Sequence, residues 1–381
     1  MKLTPGVDTL LGKHASWLQG KRVGLVSHAA AVDARGLSSA ERLHQAHDMK
    51  LAALFGPEHG FSGIAAAGEL TPDGLHSAWG IPIFSLYGET RKPTPAMLDT
   101  VDVLVVEFQD LGARPYTYVS TLRLVLEAAA GAGKPVIVAD RPVPLPLGAD
   151  GPLLDPTFET FVGFIPGPMQ TGLTPGETAR WLVRALGLNL DLRVSEMEGY
   201  HRETERQPSW PPWVPPSPRI RSWESACLFT STVFGEALPA LDYGSGTELS
   251  FQLIGAPWLE ARRLIGCLDG INLVPTRYTA KSGLYAGQEL DGARLMISDY
   301  AAFKPVETSV KLLAAIQELY GPSALWEAPG TRLEWFDKLY GTDTVRLALQ
   351  GGVPADAIIA GWQPGLAAFS AETREHRLYR R

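Results

Sequence analysis

Cysteine is scarce in this chain: two residues, Cys227 and Cys267, in 381. Neither falls in a CxxC pair, so neither a zinc site nor a disulfide framework is indicated. Two unpaired thiols fit a reducing compartment. Basic runs are missing as well. The formal net charge is -7, and only the terminal pair Arg380-Arg381 stands out. Nucleic acid is therefore not an expected partner, because neutralising phosphates takes a basic stripe. No apolar stretch approaches the ~20 residues that span a bilayer. The opening Met1-Lys2-Leu3-Thr4-Pro5 lacks an apolar h-region and a small-residue cleavage site, so a cytoplasmic location is the expectation. No GxGxxG follows a strand and no GxxxxGK[ST] occurs. No cofactor is expected. His44 and His47 lie three apart on a presumed helix, but no acid or cysteine joins them, so no metal is expected.

What the chain does have is 45% hydrophobic residues, enough for two domains of ordinary size, each with its own core. The first half alternates strand-like and helix-like segments. Strands are expected at Arg22 to Ser27, Leu51 to Phe55, Ile81 to Leu86, Val101 to Phe108 and Pro135 to Asp140. The prolines of the third suit an edge or a strand start. The near-continuous apolar run of the fourth suits a strand covered on both faces. Helical patterns are expected around Leu37 and Leu43 and from Leu122 to Ala132. Such alternation implies an α/β fold with a doubly wound, largely parallel sheet. Thr174-Pro175-Gly176-Glu177 reads as a helix start, with Thr174 as N-cap and Glu177 closing a capping box. The proline-rich stretch Pro208 to Pro218 reads as an extended, stiff connection. It divides the chain into residues 1–207 and a mixed α/β part, 208–381, with a helix expected from Thr308 to Tyr320.

Two segments carry the chemistry, Phe55-Gly56-Pro57-Glu58-His59-Gly60-Phe61 and Glu107 to Tyr118. Each follows an apolar strand, and open α/β sheets bind ligands at the carboxyl ends of their strands. A carboxylate at Glu58 serves as general acid, base or nucleophile; otherwise it caps a helix or pairs with an arginine. His59 orients Glu58, binds substrate or is structural. In the second segment Glu107 and Gln109 share a face of the strand, followed by Asp110, Arg114, Tyr116 and Tyr118. Tyrosines give a stacking face and a hydroxyl, which suits sugar rings. Glu69 either returns to the same pocket or is a surface acid. Arg141 closes the pocket or braces Asp140.

With these residues in view, the chain resembles the bacterial NamZ-like exo-β-N-acetylmuramidases, long catalogued as a domain of unknown function. The likeness spans nearly the full length. It is carried by Phe55 to Gly63, Ser85 to Gly88, Glu107 to Tyr118, Asp140 to Pro142, Gly172 to Glu177, Pro216 to Pro218 and Leu253 to Trp258. The resemblance implies a Rossmann-like catalytic N-terminal domain, with a smaller C-terminal domain walling the cleft. It implies removal of N-acetylmuramic acid, or a related amino sugar, from non-reducing ends of peptidoglycan fragments. The family's catalytic glutamate falls on Glu58, and its polar and acidic companions on His59, Glu107, Gln109, Asp110, Arg114, Tyr116 and Tyr118. Three stretches depart from the family pattern. Gln170 to Thr174 stands where members have Arg-His-Gly-Met-Thr, Arg219 where they end Pro-Ser-Pro in Asn, and Asp242-Tyr243 where they have Ser-Glu.

The expected reaction is glycoside hydrolysis, one carboxyl protonating the leaving oxygen while a second group attacks or activates water. Glu58 is one partner; Glu107, Asp110 or a tyrosine beside an acid is the other. Arg114 is the cation left for a lactyl carboxylate. Two alternatives stand beside this: a non-catalytic cell-wall-sugar binding protein, and a hydrolase using a metal held by Glu58, His59 and Asp110.

Overall fold

The computed structural model describes residues 3–202, 206–208, 210–264, 266 and 268–379. Cys267, Ser209 of the proline-rich stretch, the opening Met1-Lys2 and the terminal arginine pair lie outside the described residues. Twelve strands occur among them: β1 Arg22–Ser27, β2 Lys50–Gly56, β3 Gly74–Leu75, β4 Pro82–Ser85, β5 Val103–Glu107, β6 Val136–Ala139, β7 Asp150–Leu153, β8 Pro168–Gln170, β9 Leu192–Ser195, β10 Leu253–Gly255, β11 Ile271–Thr279 and β12 Glu289–Ile297.

Seven of these form one sheet in the order β3-β4-β2-β1-β5-β6-β9. All neighbours are parallel except the short β3, which runs antiparallel to β4 at the edge. Leaving β3 aside, the chain steps outward from β1 to β2 and β4, then returns to β5, β6 and β9. That reversal is the doubly wound, Rossmann-like topology. Side-chain alternation explains why both faces are covered. In β5, Val103 and Val105 pack on one side with Val7, Leu10 and Leu43. Leu104 and Val106 pack on the other with Leu122, Val125 and Leu126 of the helix Tyr118–Gly131.

Most expected elements appear near their expected bounds. The helix around Leu43 is shorter than expected, Ser39–His44. Leu37 lies before it, 44% exposed, in a turn where Asp33 accepts the Leu37 N–H at 2.9 Å. The helix expected from Leu122 begins four residues earlier, at Tyr118. Its preceding residue, Thr117, makes no side-chain cap.

The C-terminal half holds the three-stranded sheet β10-β12-β11 and the helices Trp223–Thr232, Pro305–Tyr320, Leu333–Tyr340 and Ala355–Thr373. Two expectations change here. The proline-rich segment is a packed element rather than a free spacer: Trp210 and Trp213 each meet Trp223 edge-on at 5.4 Å. The Pro216 carbonyl accepts the Tyr118 hydroxyl at 2.5 Å. The halves also share a core. One apolar cluster runs from Leu3 and Val106 through Tyr116 and Phe229 to Leu313 and Tyr379. The chain's last turn returns to the N-terminal sheet, where the Tyr379 hydroxyl donates to Asp140 at 2.7 Å and accepts the Met197 N–H at 3.0 Å. Among the described residues no helix is long and apolar enough to cross a membrane.

Candidate active site

β2 ends in Gly56, and the chain must turn there at once. A Cβ on Gly56 would lie 2.5 Å from the Phe61 backbone nitrogen, so only glycine lets the loop fold back. Within that loop His59 adopts φ +72°, a left-handed conformation that costs a non-glycine residue about 1–3 kcal/mol. Its ring Nδ1 lies 2.8 Å from the Ala65 carbonyl; a carbonyl only accepts, so Nδ1 carries a proton. The bend directs Glu58 into a cavity of about 630 Å³, within the range of small-molecule sites.

Glu58 is gripped from two sides. Thr117 donates its hydroxyl to Oε2 at 2.6 Å, and the Gly68 N–H donates to Oε1 at 2.8 Å. Thr117, just before the helix Tyr118–Gly131, has helical backbone angles (φ -60°, ψ -12°) rather than the extended ones of a capping residue, and its hydroxyl donates to Glu58. Tyr87 lines the same wall, its hydroxyl raised by burial and by the nearby Glu58 carboxylate.

The facing wall comes from the C-terminal half. Arg219, Glu236, Asp242, Tyr243, Arg332 and Trp335 line it. Glu236 follows the helix Trp223–Thr232 in a tight turn and lies 3.4 Å from Arg219. Burial raises its carboxyl, against the pull of Arg219 and Arg332, and the Glu58 charge raises it further. Two carboxyl groups therefore feel one another across this cavity. Tyr243 accepts from Arg219 at 2.9 Å, and burial pushes its hydroxyl up to about 12.

The other expected site residues separate into two groups. His59 and Tyr116 line the cavity with Glu58. Tyr116 packs edge-on against Tyr118 at 4.8 Å and Phe229 at 5.7 Å. Glu107, Gln109, Asp110, Arg114, Tyr118, Arg141 and Glu69 are not among its lining residues. Glu107 pairs with Arg141 at 2.8 Å, both buried. Arg141 also donates to the Val32 carbonyl at 2.6 Å and to Gln109 at 3.2 Å, and Gln109 donates to the Pro142 carbonyl at 2.9 Å. The neutral His28, held down to about 3 by burial, accepts the Gln109 N–H at 3.0 Å. These groups fill the crevice between β1 and β5, where a doubly wound sheet ordinarily takes its ligand.

Arg114 is fully buried. It donates to the carbonyls of Pro152 at 3.2 Å and Gly167 at 2.7 Å, and to that of Tyr340. It joins the strand-end loop to the helix Leu333–Tyr340 and does not line the cavity. Tyr118 secures the proline-rich segment through Pro216. Asp110 takes the Gly112 N–H at 2.6 Å and stays buried below the loop. Glu69 bonds the Ala66 N–H at 2.8 Å on the exposed loop. Among the described residues no three His, Cys, Asp or Glu side chains gather as a metal-ligand set.

Sequence reasoning assigned no role to Thr117, Glu236 or Arg332. Glu236 lies beside the altered Asp242-Tyr243 region, and an acid immediately after a helix carries no strand-end signal. Thr117 was inside the quoted segment, but its role depends on a side chain 59 positions away.

Fold and site together define a two-lobed α/β enzyme of the glycosidase class, with its cavity between the lobes. Family models for the N-terminal and C-terminal domains of the exo-β-N-acetylmuramidase NamZ match residues 23–224 and 227–379. The chain belongs to the NamZ exo-β-N-acetylmuramidase family. It is 34% identical to the peptidoglycan β-N-acetylmuramidase NamZ of Bacillus subtilis (strain 168), over 99% of this chain and 92% of that protein. Crystal structures of two DUF1343 family proteins of Bacteroides fragilis NCTC 9343 are similar. One has a TM-score of 0.91 at 31% identity, covering 99% of both chains. The other has a TM-score of 0.79 at 26% identity, covering 100% of this chain and 99% of that one.

Proposed function

We propose that this cavity hydrolyses the β-glycosidic bond of a terminal N-acetylmuramic acid, or a closely related amino sugar, on peptidoglycan fragments. The observation that carries the reading is the pair Glu58 and Glu236, two carboxyl groups from different lobes lining one sugar-sized cavity. Glu236, its carboxyl raised by burial, gives its proton to the leaving oxygen as the anomeric C–O bond breaks. Glu58, held by Thr117 and Gly68, acts at the anomeric carbon, as nucleophile or as the base that takes a proton from the attacking water. The sugar leaves with the water's hydroxyl, and the aglycone leaves protonated.

The test separates the two roles. Glu58→Gln abolishes turnover of both a 4-nitrophenyl β-N-acetylmuramide and a natural disaccharide, with an unchanged circular dichroism spectrum. Glu236→Gln costs about 10²–10⁴-fold on the disaccharide and much less on nitrophenol, which departs without a proton. A Glu58→Gln protein with full turnover overturns the reading, and so does a Glu236→Gln protein equally impaired on both substrates. The family's relation to a known muramidase and the retained Glu58 favour this enzyme over a binding protein that has lost its chemistry.

A further inference from the structure

We propose that Arg219 and Arg332 together form a seat for a carboxylate on the bound sugar, and so select muramic-type over neutral glucosamine-type rings. The inference rests on the sugar-site reading above and names the group that the facing wall recognises.

The charge arrangement of the cavity leads to it. The charged side chains lining it are Glu58, Glu236, Asp242, Arg219 and Arg332, with His59 beside them. Asp242 has neutral donors of its own, the Tyr278 hydroxyl at 2.8 Å and the Gly244 N–H at 2.8 Å. Among the described residues the only carboxylate within ion-pair distance of Arg219 is Glu236, at a single-point 3.4 Å. Arg332 has none within that distance; it donates to the Glu236 backbone carbonyl. Arg219 thus has a single-point acid partner on this wall, and Arg332 has none within ion-pair distance among the described residues.

Both groups are reachable and both are held. Arg219 is 40% exposed along its side chain, and one nitrogen, Nη1, makes both of its contacts, to Glu236 and Tyr243. The rest of its planar fork stays open to a bidentate acceptor. Arg332 lies exposed over the Trp335 ring at 5.4 Å. The two other arginines near the strand-end loops cannot serve, since Arg114 and Arg141 are sealed on carbonyls and on Glu107. N-acetylmuramic acid differs from N-acetylglucosamine by a lactyl ether that ends in a carboxylate. The first ring supplies the missing charge. The second offers no charged acceptor to the open part of the Arg219 fork or to Arg332.

Arg219 also touches Glu236, so turnover alone would mix recognition with chemistry; binding separates them. Free N-acetylmuramic acid and N-acetylglucosamine are titrated calorimetrically into the full chain and into Arg219→Gln, Arg332→Gln and Arg219→Lys. The unaltered protein binds the acid at least about tenfold more tightly. In both glutamine variants that preference collapses towards one. Arg219→Lys, which keeps the charge but loses the fork, retains an intermediate preference and guards against a folding artefact. Equal binding of the two sugars by the unaltered protein, or an undiminished preference in both glutamine variants, overturns the proposal. If the preference behaves as expected while neither sugar's nitrophenyl glycoside is cleaved, the carboxylate seat stands and the hydrolase reading falls.

Discussion

Burial pushes the Asp110 carboxyl from its ordinary 3.8 up to about 7, while Oδ1 holds the Gly112 N–H and Oδ2 has no partner. The folded chain keeps a proton there that the unfolded chain releases. This contribution to stability is therefore complete below about pH 4 and is lost as the pH rises through about 7. Asn at this position imitates the protonated acid at every pH. Thermal melts of Asp110→Asn and the unaltered protein should diverge between about pH 4 and pH 7, the variant losing less; parallel curves would count against the assignment. Asp110 also shows where sequence reading reached its limit for single residues. An acid two places past a strand end was legible as special, but its depth was not. Arg114 was legible as a cation, while the carbonyls that take its terminal nitrogens come from Pro152, Gly167 and Tyr340. Glu58 was legible because strand, turn and acid are adjacent in the chain.

Among elements, the helix Pro175–Ala185 was the most completely legible. Thr174 accepts the Glu177 N–H at 3.3 Å, and Glu177 reaches back to the Thr174 N–H at 3.0 Å. The cap has a further duty that no local pattern announces: the Thr174 hydroxyl donates to Asp140 at 2.7 Å, at the end of β6. Thr174→Ala should therefore cost more than an ordinary cap, about 2 kcal/mol, read from the midpoint of urea unfolding. A loss below about 0.5 kcal/mol would show that the Asp140 contact contributes nothing. The helix Tyr118–Gly131 is the contrasting case. Its start was expected four residues late, because Thr117 already has helical backbone angles and the first turn lacks a side-chain cap to advertise it. Hydrophobic patterning gave the strands and their parallel arrangement. Their spatial order depends on contacts between distant segments, and patterning does not encode those.

For the molecule as a whole, the shared apolar core and the returning C-terminus make one cooperative unit from two lobes. Tyr379 is the connection most open to test. Its hydroxyl serves both Asp140 and the Met197 N–H, all of them buried. Tyr379→Phe leaves the Met197 N–H unpaired and takes one of several donors from Asp140, at about 1–3 kcal/mol. The melt of both proteins by calorimetry should remain a single transition, lower in the variant. Two resolved transitions in the unaltered chain would mean that the lobes unfold independently. The sequence suggested two separate cores because it shows a composition break near Pro208 but not the tryptophans that pack across it.

The plugged crevice between β1 and β5 has a consequence for how such an enzyme responds to its surroundings. Doubly wound sheets commonly make their owners sensitive to dinucleotides, and so to the redox and energy state around them. Here Glu107, Arg141, Gln109 and His28 occupy that place, bonded to one another and to neighbouring backbone. A dinucleotide could enter there only by breaking the buried Glu107–Arg141 pair and the bonds that hold Arg141 to Gln109 and to the Val32 carbonyl.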